Sequence, residues 1–285
     1  MKYFISNPIK FGTSENERSS IGHAFHNWLT ALIVSKKSNI EFIHTPFSND
    51  CTRYENFLNF KHSFKTIENV NIEKIYQVPL IDFAHLKSTQ ENVAEENIQK
   101  LIHFINDLPD NTGVLFSSYS QFPGILIKDA HFSIEKIQES YWSKHENTKT
   151  NFDKSKFNVA IHIRRGDITK QTNFDRWKDL TFYKKIIEKI NKTYKGCDIH
   201  VYSEGIQSDF SELFIENVKF HLNGSDVESL HDMCSANILV TGQSSFSIMA
   251  SYINKNTIIY TPLHNLTRWE SFGNRFINVE DFLND

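Results

Sequence analysis

Short apolar runs alternate with longer segments of helical period along the whole chain, a pattern typical of βα units that build parallel sheets. In the first half the runs KYFIS, IEFIHT, KIYQV and GVLFSS predict strands, and residues 22–38 and 91–108 predict helices. Residues 143–156 are polar and have the composition of a linker, so the predicted domains are residues 1–150 and 151–285.

The second half follows the same pattern more regularly. The runs FNVAIHI, DIHVYS, NILVTG and NTIIYTP predict strands, and residues 180–194, 226–236 and 244–254 predict helices. Because each strand is short and apolar and leads into a helix, we expect a doubly wound α/β domain with a parallel sheet.

Composition narrows the classes of function. The 285 residues carry a formal net charge of -3, which disfavours nucleic acid as a main partner. The cysteines are odd in number and far apart, which fits neither a disulfide framework nor a zinc site and indicates a reducing compartment. There is no signal-peptide pattern and no apolar run near the ~18 residues that span a bilayer, so we expect a cytoplasmic protein without a transmembrane segment.

Polar motifs follow three predicted strands of the second half: RRGD, SEG and GQSS. Ligands of open parallel sheets bind beyond the carboxyl ends of the strands, so these turns are candidates for one site. Arg164 and Arg165 could bind diphosphate oxygens through paired hydrogen bonds, Gly166 permits a tight turn, and Asp167 could orient an arginine. The same residues could instead form an exposed Arg-Gly-Asp adhesion motif or a solvated cluster of ion pairs.

The motif GQSSFS favours the phosphate interpretation. Ser244 or Ser245 could cap the following helix, whose free amides and dipole form an anion site, although ordinary helix capping explains the same residues. Glu204, in the motif SEG, could bond a ribose hydroxyl or could only form a turn at the strand end. Arginines at one strand end and a serine-capped helix start two βα units later are more specific together than either is alone.

Residues 162–167 and 230–254 resemble the His-x-Arg-Arg-Gly-Asp fucosyltransferase superfamily, which comprises the α-1,2, α-1,6 and protein O-fucosyltransferases. Residues 157–262 carry the likeness, and SSIGHAFHNW, which contains Gly22, is similar to the Gly-x-Gly-Asn-Gln turn that opens the first helix of that superfamily. The resemblance implies an α/β fold of the GT-B class, with two Rossmann-like domains facing across a cleft. The C-terminal domain is expected to hold the nucleotide sugar and the N-terminal domain most of the acceptor.

The resemblance also implies an activity: inverting, metal-independent transfer of fucose from GDP-fucose to a hydroxyl of a glycan or glycoconjugate, with the nucleotide sugar as co-substrate and no cofactor. It places Arg164 on the β-phosphate and His162 near the nucleotide, and it gives Arg165 and Asp167 the role of shaping the turn. The expected phosphate pocket consists of Ser244, Ser245 and Phe246.

Two positions depart from the superfamily. Ser229 stands where α-1,2 and α-1,6 members carry an aspartate that reads guanine, and Asp226 and Glu228 lie close to it in sequence. A serine cannot accept both guanine N1 and N2 hydrogens as a carboxylate can, so a UDP-sugar such as UDP-xylose is an alternative donor unless a neighbouring carboxylate substitutes. The second departure is His23, at the position of the asparagine in the Gly-x-Gly-Asn-Gln turn.

The expected catalytic groups are Arg164, which stabilises charge on the leaving diphosphate, and His23, the first candidate for general base. Glu15, Glu17 and Asp167 are alternative bases. A nucleotide-sugar binding protein without transfer activity is a further alternative. The tryptophans Trp28, Trp177 and Trp269 could stack on sugar rings, although packing explains each of them as well.

Overall fold

The structure is a computed structural model, and it describes residues 1–6, 21–47, 52–78, 91–116, 131–262 and 273–285. The described residues divide into two compact units, one comprising those up to Asn147 and the other those from Thr148 onward. Among the helices of this described part, none has both the length and the apolar character needed to cross a membrane.

The N-terminal unit contains a parallel sheet with the strand order β2-β1-β4-β3. Its strands are β1 (Lys2–Ser6), β2 (Glu41–Ile43), β3 (Lys74–Gln77) and β4 (Thr112–Phe116), and its helices are α1 (Ile21–Lys37), α2 (Thr52–Leu58), α3 (Glu91–Asn106) and α4 (His131–His145). Short 3-10 turns occupy residues 60–62 and 67–69.

An aromatic cluster forms the core of this unit. Trp28 of α1 is fully buried, and its ring stacks on Phe60 at 4.5 Å and meets the edges of Phe42 and Phe64. Its indole nitrogen donates a hydrogen bond to His44 Nδ1 at 2.9 Å, so the buried polar atom has a partner. Trp28 is therefore a packing residue of this core, which is one of the two roles expected from the sequence, the other being stacking on a sugar ring.

The C-terminal unit contains a six-stranded parallel sheet with the strand order β10-β9-β8-β5-β6-β7. Its strands are β5 (Asn158–His162), β6 (Asp198–Ser203), β7 (Val218–Leu222), β8 (Ile238–Val240), β9 (Thr257–Tyr260) and β10 (Phe276–Asn278), and its helices are α5 (Leu180–Thr193), α6 (Asp226–Ser235), α7 (Ser245–Ile253) and α8 (Val279–Asn284). The chain runs outward from β5 through β6 to β7 and then returns to β8 on the other side of β5. The order of the strands therefore reverses between β5 and β8, which is the position where doubly wound sheets bind ligands.

Alternate residues of these strands build the core of the C-terminal unit. Ile161, Val201 and Val240 pack with Ile186 and Ile190 of α5 in one apolar cluster. All five residues of β5 are buried, as expected for a central parallel strand. The chemistry-bearing turns thus extend from strands that the core holds in place.

The structure departs from the expected elements in three places. A 3-10 segment, Gln207–Leu213, and then strand β7 follow β6, where a helix was expected after the strand. Helix α4 extends to His145, so the first residues of the expected linker 143–156 are helical. Asn151, also in that stretch, donates two hydrogen bonds to the buried Asp232 of α6, so this part is anchored to the C-terminal unit.

Candidate functional site

The turn after β5 presents Arg164 at the carboxyl edge of the sheet. Its guanidinium forms ion pairs with Asp167, in close contact, and with Glu204 Oε2 at 3.2 Å. The Arg164 side chain is 28% exposed, so it can still reach a ligand. Gly166 has a φ of 78°, a left-handed backbone conformation that residues with a side chain rarely adopt, which explains why a glycine stands in this turn.

Arg165 forms hydrogen bonds with the backbone of this turn. Its guanidinium donates hydrogen bonds to the carbonyl oxygens of Arg164 at 2.9 Å and Lys178 at 2.8 Å. The guanidinium carbon also lies 3.7 Å from the ring centroid of Trp177, a cation–π contact. Burial lowers the pKa of Arg165. Arg165 therefore contacts both the backbone of the turn and the Trp177 ring.

Helix α7 begins at the neighbouring turn, after β8. Ser244 is its N-cap, and Ser244 Oγ accepts a hydrogen bond from the Phe246 amide at 3.4 Å. Ser244 and Ser245 are buried, and Phe246 is partly exposed. A helix start of this kind concentrates free amides and the positive end of the helix dipole, which favours an anion.

Gly242 lets these two turns approach each other. A Cβ on Gly242 would lie 2.7 Å from the His162 carbonyl oxygen and 3.5 Å from the Arg164 amide nitrogen. His162 is buried, its ring centroid lies 5.9 Å from that of Phe246, and burial together with the charge of Arg164 lowers its pKa to about 3. His162 is therefore neutral at physiological pH and is suited to hydrogen bonding.

A second arginine, Arg176, contacts the same segment. Its Nε and Nη2 atoms donate hydrogen bonds to the Gln243 carbonyl oxygen at 3.2 and 2.9 Å. Burial lowers the pKa of Arg176, and the positive charge of Arg164 lowers it further. Two neighbouring cations at a helix start favour a multiply charged anion such as a diphosphate. Arg176 was not expected from the sequence, because it lies in a short 3-10 turn, Phe174–Arg176, that neither ends a strand nor begins an α-helix.

Several buried polar atoms at this edge have no hydrogen-bond partner within the described ranges. They are His162 Nδ1, Thr241 Oγ1, Gln243 Oε1 and Thr261 Oγ1. Thr241 directly follows β8 and Thr261 directly follows β9. A buried polar atom without a partner costs about 1–3 kcal/mol, so such atoms mark a place where a ligand can complete the bonding.

The residues considered for base recognition lie on α6. Ser229 is partly buried, and Glu228 is exposed. Asp226 Oδ1 accepts a hydrogen bond from the Val227 amide at 2.8 Å, within the first turn of α6. These positions stay predictions as donor contacts.

Gly22 and His23 lie in the first turn of α1, in the N-terminal unit. His23 is partly buried, whereas His26, three residues further along α1, is fully buried. Burial lowers the pKa of His26 well below its usual value, and the neighbouring His23 lowers it further. The catalytic role of His23 stays a prediction. Glu15, Glu17 and Trp269 lie outside the described residues.

Comparisons with known proteins place the chain among sugar-transferring enzymes. Residues 54–273 match the family model of glycosyl transferase family 11. The crystal structure of POFUT1 in its apo form covers 90% of this chain and 97% of its own at a TM-score of 0.54 and 14% identity. POFUT1 in complex with GDP-fucose shows the same coverage at a TM-score of 0.52 and 13% identity. The fucosyltransferase NodZ from Bradyrhizobium covers 88% of this chain and 93% of its own at a TM-score of 0.39 and 10% identity. A comparison with curated protein sequences found no match.

Proposed function

The chain belongs to glycosyl transferase family 11, and from that premise we propose that it transfers fucose from GDP-fucose to a hydroxyl of a glycan or glycoconjugate, with inversion and without a metal ion. One observation carries the proposal. At the point where the strand order reverses, the Arg164 backbone and the Arg176 guanidinium lie beside residues 242–244, which lead into the first turn of α7, and the charge of Arg164 acts on Arg176. This combination of charges suits the diphosphate of a nucleotide sugar.

The chemistry of the leaving group follows from these contacts. Cleavage of the bond between the sugar and the diphosphate leaves negative charge on the β-phosphate. Arg164 and the amides at the start of α7 stabilise that charge, an effect of about 3–4 kcal/mol for each donor in comparable sites. Arg164 thus takes the part that a magnesium ion plays in other transferases. The absence of an Asp-x-Asp motif from the sequence supports transfer without a metal.

In an inverting transfer the acceptor hydroxyl attacks the anomeric carbon from the side opposite the diphosphate. A general base that takes the hydroxyl proton as the new bond forms accelerates this step, typically by about 10²–10⁴-fold. We assign that role to His23, because its ordinary pKa lies near neutrality. The variant His23→Ala is expected to lower kcat more than tenfold, and a smaller drop would remove His23 as the base.

GDP-fucose is the first choice of donor, since POFUT1, whose fold the chain shares, was crystallised with GDP-fucose. Guanine needs an acceptor for two neighbouring hydrogens, and on α6 that acceptor would be Asp226 or Glu228. Ser229, at the position of the guanine-reading aspartate, favours a second candidate, in which the same phosphate site binds a UDP-sugar such as UDP-xylose.

A transfer assay tests the proposal. GDP-fucose and UDP-xylose are each incubated with a panel of glycan acceptors in the presence of EDTA, and the released nucleotide and the product are measured by mass spectrometry. The wild type is expected to produce fucosylated product whose anomeric configuration, determined by NMR, is opposite to that of the donor.

The variant Arg164→Ala is expected to abolish transfer while the protein stays folded. Lys184→Ala is the matched control, because it removes one exposed positive charge from α5 of the same unit. Near wild-type turnover by Arg164→Ala would show that the site is wrong. Tight donor binding without product from any acceptor would instead favour a nucleotide-sugar binding protein.

A further inference from the structure

The N-terminal unit contains a cavity of about 330 Å³ among its described residues. It lies where the last turn of α1, the first residue of β2 and the first turn of α4 come together, with Leu32, Glu41 and Phe132 among its walls. Its volume is at the lower end of the range of about 300–1,000 Å³ that holds small molecules in proteins. A ligand with a single ring would therefore fit.

The cavity carries two ammonium groups, those of Lys36 and Lys136, that form no direct ion pair with a described carboxylate. Lys36 Nζ lies 4.3 Å from the ring centroid of Phe132, and Lys136 Nζ lies 4.6 Å from that of Phe64. Within the part of the chain that the structure describes, neither ammonium forms an ion pair. Burial lowers the pKa of Lys136, the nearby carboxylates of Glu139 and Glu41 act to raise it, and the charge of Lys36 lowers it, so the two ammonium groups are near enough to repel each other. An anion between them would relieve that repulsion.

Ser133 gives a second, independent indication of a ligand. Its side chain is 1% exposed and lines the cavity, and its hydroxyl has no hydrogen-bond partner among the described residues. Ser133 lies in the first turn of α4, a helix of 15 residues, where free amides and the helix dipole also favour an anion. A ligand atom that bonds the Ser133 hydroxyl would satisfy a group whose burial is otherwise unfavourable.

The walls also suit the body of a sugar. The Phe132 side chain is 52% exposed, so part of its ring can pack against the carbon–hydrogen face of a pyranose. At the border of the cavity Lys65 pairs with Glu41 at 2.6 Å, and this neutral pair can bond hydroxyl groups.

We propose that this cavity is a binding site for an acidic sugar, one that carries a carboxylate or a phosphate ester. The acidic group lies between Lys36 and Lys136 at the start of α4, Ser133 bonds it or a neighbouring oxygen, and the ring packs on Phe132. The site would let the enzyme hold a charged sugar of a glycan in the N-terminal unit, whereas the residues proposed to bind the nucleotide sugar belong to the C-terminal unit. The assignment to a sugar rests on the proposed function, whereas the assignment to an anion does not.

Calorimetric titration tests the proposal with four probes: D-glucuronate, glucose 6-phosphate, D-glucose and inorganic phosphate. At least one of the two acidic sugars is expected to bind saturably, and about tenfold or more tightly than either glucose or inorganic phosphate. Glucose lacks the acidic group that contacts the lysines, and inorganic phosphate lacks the ring that packs on Phe132. Comparison of glucuronate with glucose 6-phosphate identifies the acidic group. Glucose that binds as tightly as glucuronate would overturn the role of the lysines. Inorganic phosphate that binds as tightly as the acidic sugars would reduce the site to an anion site and overturn the sugar assignment.

Variants locate the binding. Lys136→Met is expected to weaken binding of the acidic sugar about tenfold, and Ser133→Ala several-fold, since each removes a hydrogen bond to a charged group. Lys74→Met is the matched control, because Lys74 lies over the Tyr76 ring at 4.7 Å in the same unit but outside the cavity. If Lys136→Met does not fold, Lys136→Arg, which keeps the charge, and Ser133→Ala still test the site.

Wild-type affinity in both Lys136→Met and Ser133→Ala, or no saturable binding of either acidic sugar, would refute the proposal. None of these titrations requires transfer. A protein that binds glucuronate but transfers no sugar would therefore contradict the proposed function alone, and an active transferase without this binding would contradict the cavity alone.

Discussion

Glu204 is one of two carboxylates that pair with Arg164, and its replacement distinguishes two roles for Glu204. In the structure Glu204 Oε2 pairs with Arg164 at 3.2 Å, whereas the motif SEG favours a contact between Glu204 and a ribose hydroxyl. If the ion pair dominates, the diphosphate must compete with Glu204 for the guanidinium. If the ribose contact dominates, Glu204 strengthens nucleotide binding. The variant Glu204→Gln has opposite effects on affinity in the two cases.

The size of the effect follows from exposure. The Glu204 side chain is 55% exposed, and ion pairs of this kind contribute about 0.2–1 kcal/mol. Release of Arg164 should therefore tighten the Kd of the nucleoside diphosphate by roughly 1.4- to 5-fold, and the free energy of unfolding should fall by about 1 kcal/mol or less. Asp167 still pairs with Arg164, so the guanidinium keeps its orientation in the variant.

The assay is calorimetric titration of GDP and UDP at low salt, together with urea unfolding. Asp110→Asn is the control, because it removes an exposed carboxylate that pairs at the same 3.2 Å distance with the N-terminal ammonium in the other unit. A Kd that weakens more than threefold in Glu204→Gln would refute the competition and favour the ribose contact. An unchanged Kd would show that the ion pair does not restrain Arg164.

Three further outcomes are expected. Arg176→Gln should weaken nucleotide binding about tenfold in the same titration, since it removes one cation from the site, and equal affinity would exclude Arg176 from it. Asp232→Ala should lower the free energy of unfolding in urea by roughly 3 kcal/mol, because it leaves the Tyr202 hydroxyl and two further donors without their acceptor, and a loss below about 1 kcal/mol would contradict this. Burial lowers the pKa of His200 to about 4, so the stability that His200 contributes is complete above about pH 6.5 and is lost as the pH falls towards 4, at up to ~1.4 kcal/mol per pH unit. Urea unfolding from pH 7 to 4 should therefore show a flatter decline for His200→Asn than for the wild type, and parallel curves would contradict the shift.

The family resemblance and the fold class could be predicted from the sequence. The resemblance drawn from residues 162–167 and 230–254 is confirmed by the match to glycosyl transferase family 11. The expected α/β fold of the GT-B class is confirmed by the parallel sheets and by solved structures of that class. The strands could be predicted because fully buried parallel strands are continuous apolar runs, so the ends of each run mark the ends of the strand.

The missed elements lack that signal. Strand β7, VKFHL, lies at an edge of the sheet and is only partly buried, so its lysine and histidine interrupt the apolar run. Helix α4 buries Ile134, Ile137 and Tyr141, most of its other residues are polar, and its end resembles a linker in composition. Local periodicity is a weak guide where only one narrow face of an element is buried.

Some residues of the candidate site are marked by a sequence motif, whereas others are identified only by contacts between distant parts of the chain. Arg164, Ser244 and Ser245 could be singled out as candidates because they follow strands or begin a helix, where a motif has a defined position, and their roles stay predictions. Arg176 could not, since its role depends on a hydrogen bond to Gln243, 67 residues away. The ion pair of Glu204 with Arg164 is likewise a contact between two turns that no single stretch of sequence reveals.

A thermal-shift panel of GDP, UDP, ADP, CMP and their common sugar conjugates, without metal, on the wild type and on Arg164→Ala tests the donor site most directly. A ligand at 100 times its Kd stabilises the folded protein by about 2.7 kcal/mol, which should raise Tm by roughly 5 °C. GDP and GDP-fucose are expected to raise the Tm of the wild type and to leave that of Arg164→Ala unchanged. A shift with UDP compounds alone would move the donor to UDP-xylose or a related sugar. Equal shifts in the wild type and in Arg164→Ala would contradict the phosphate site.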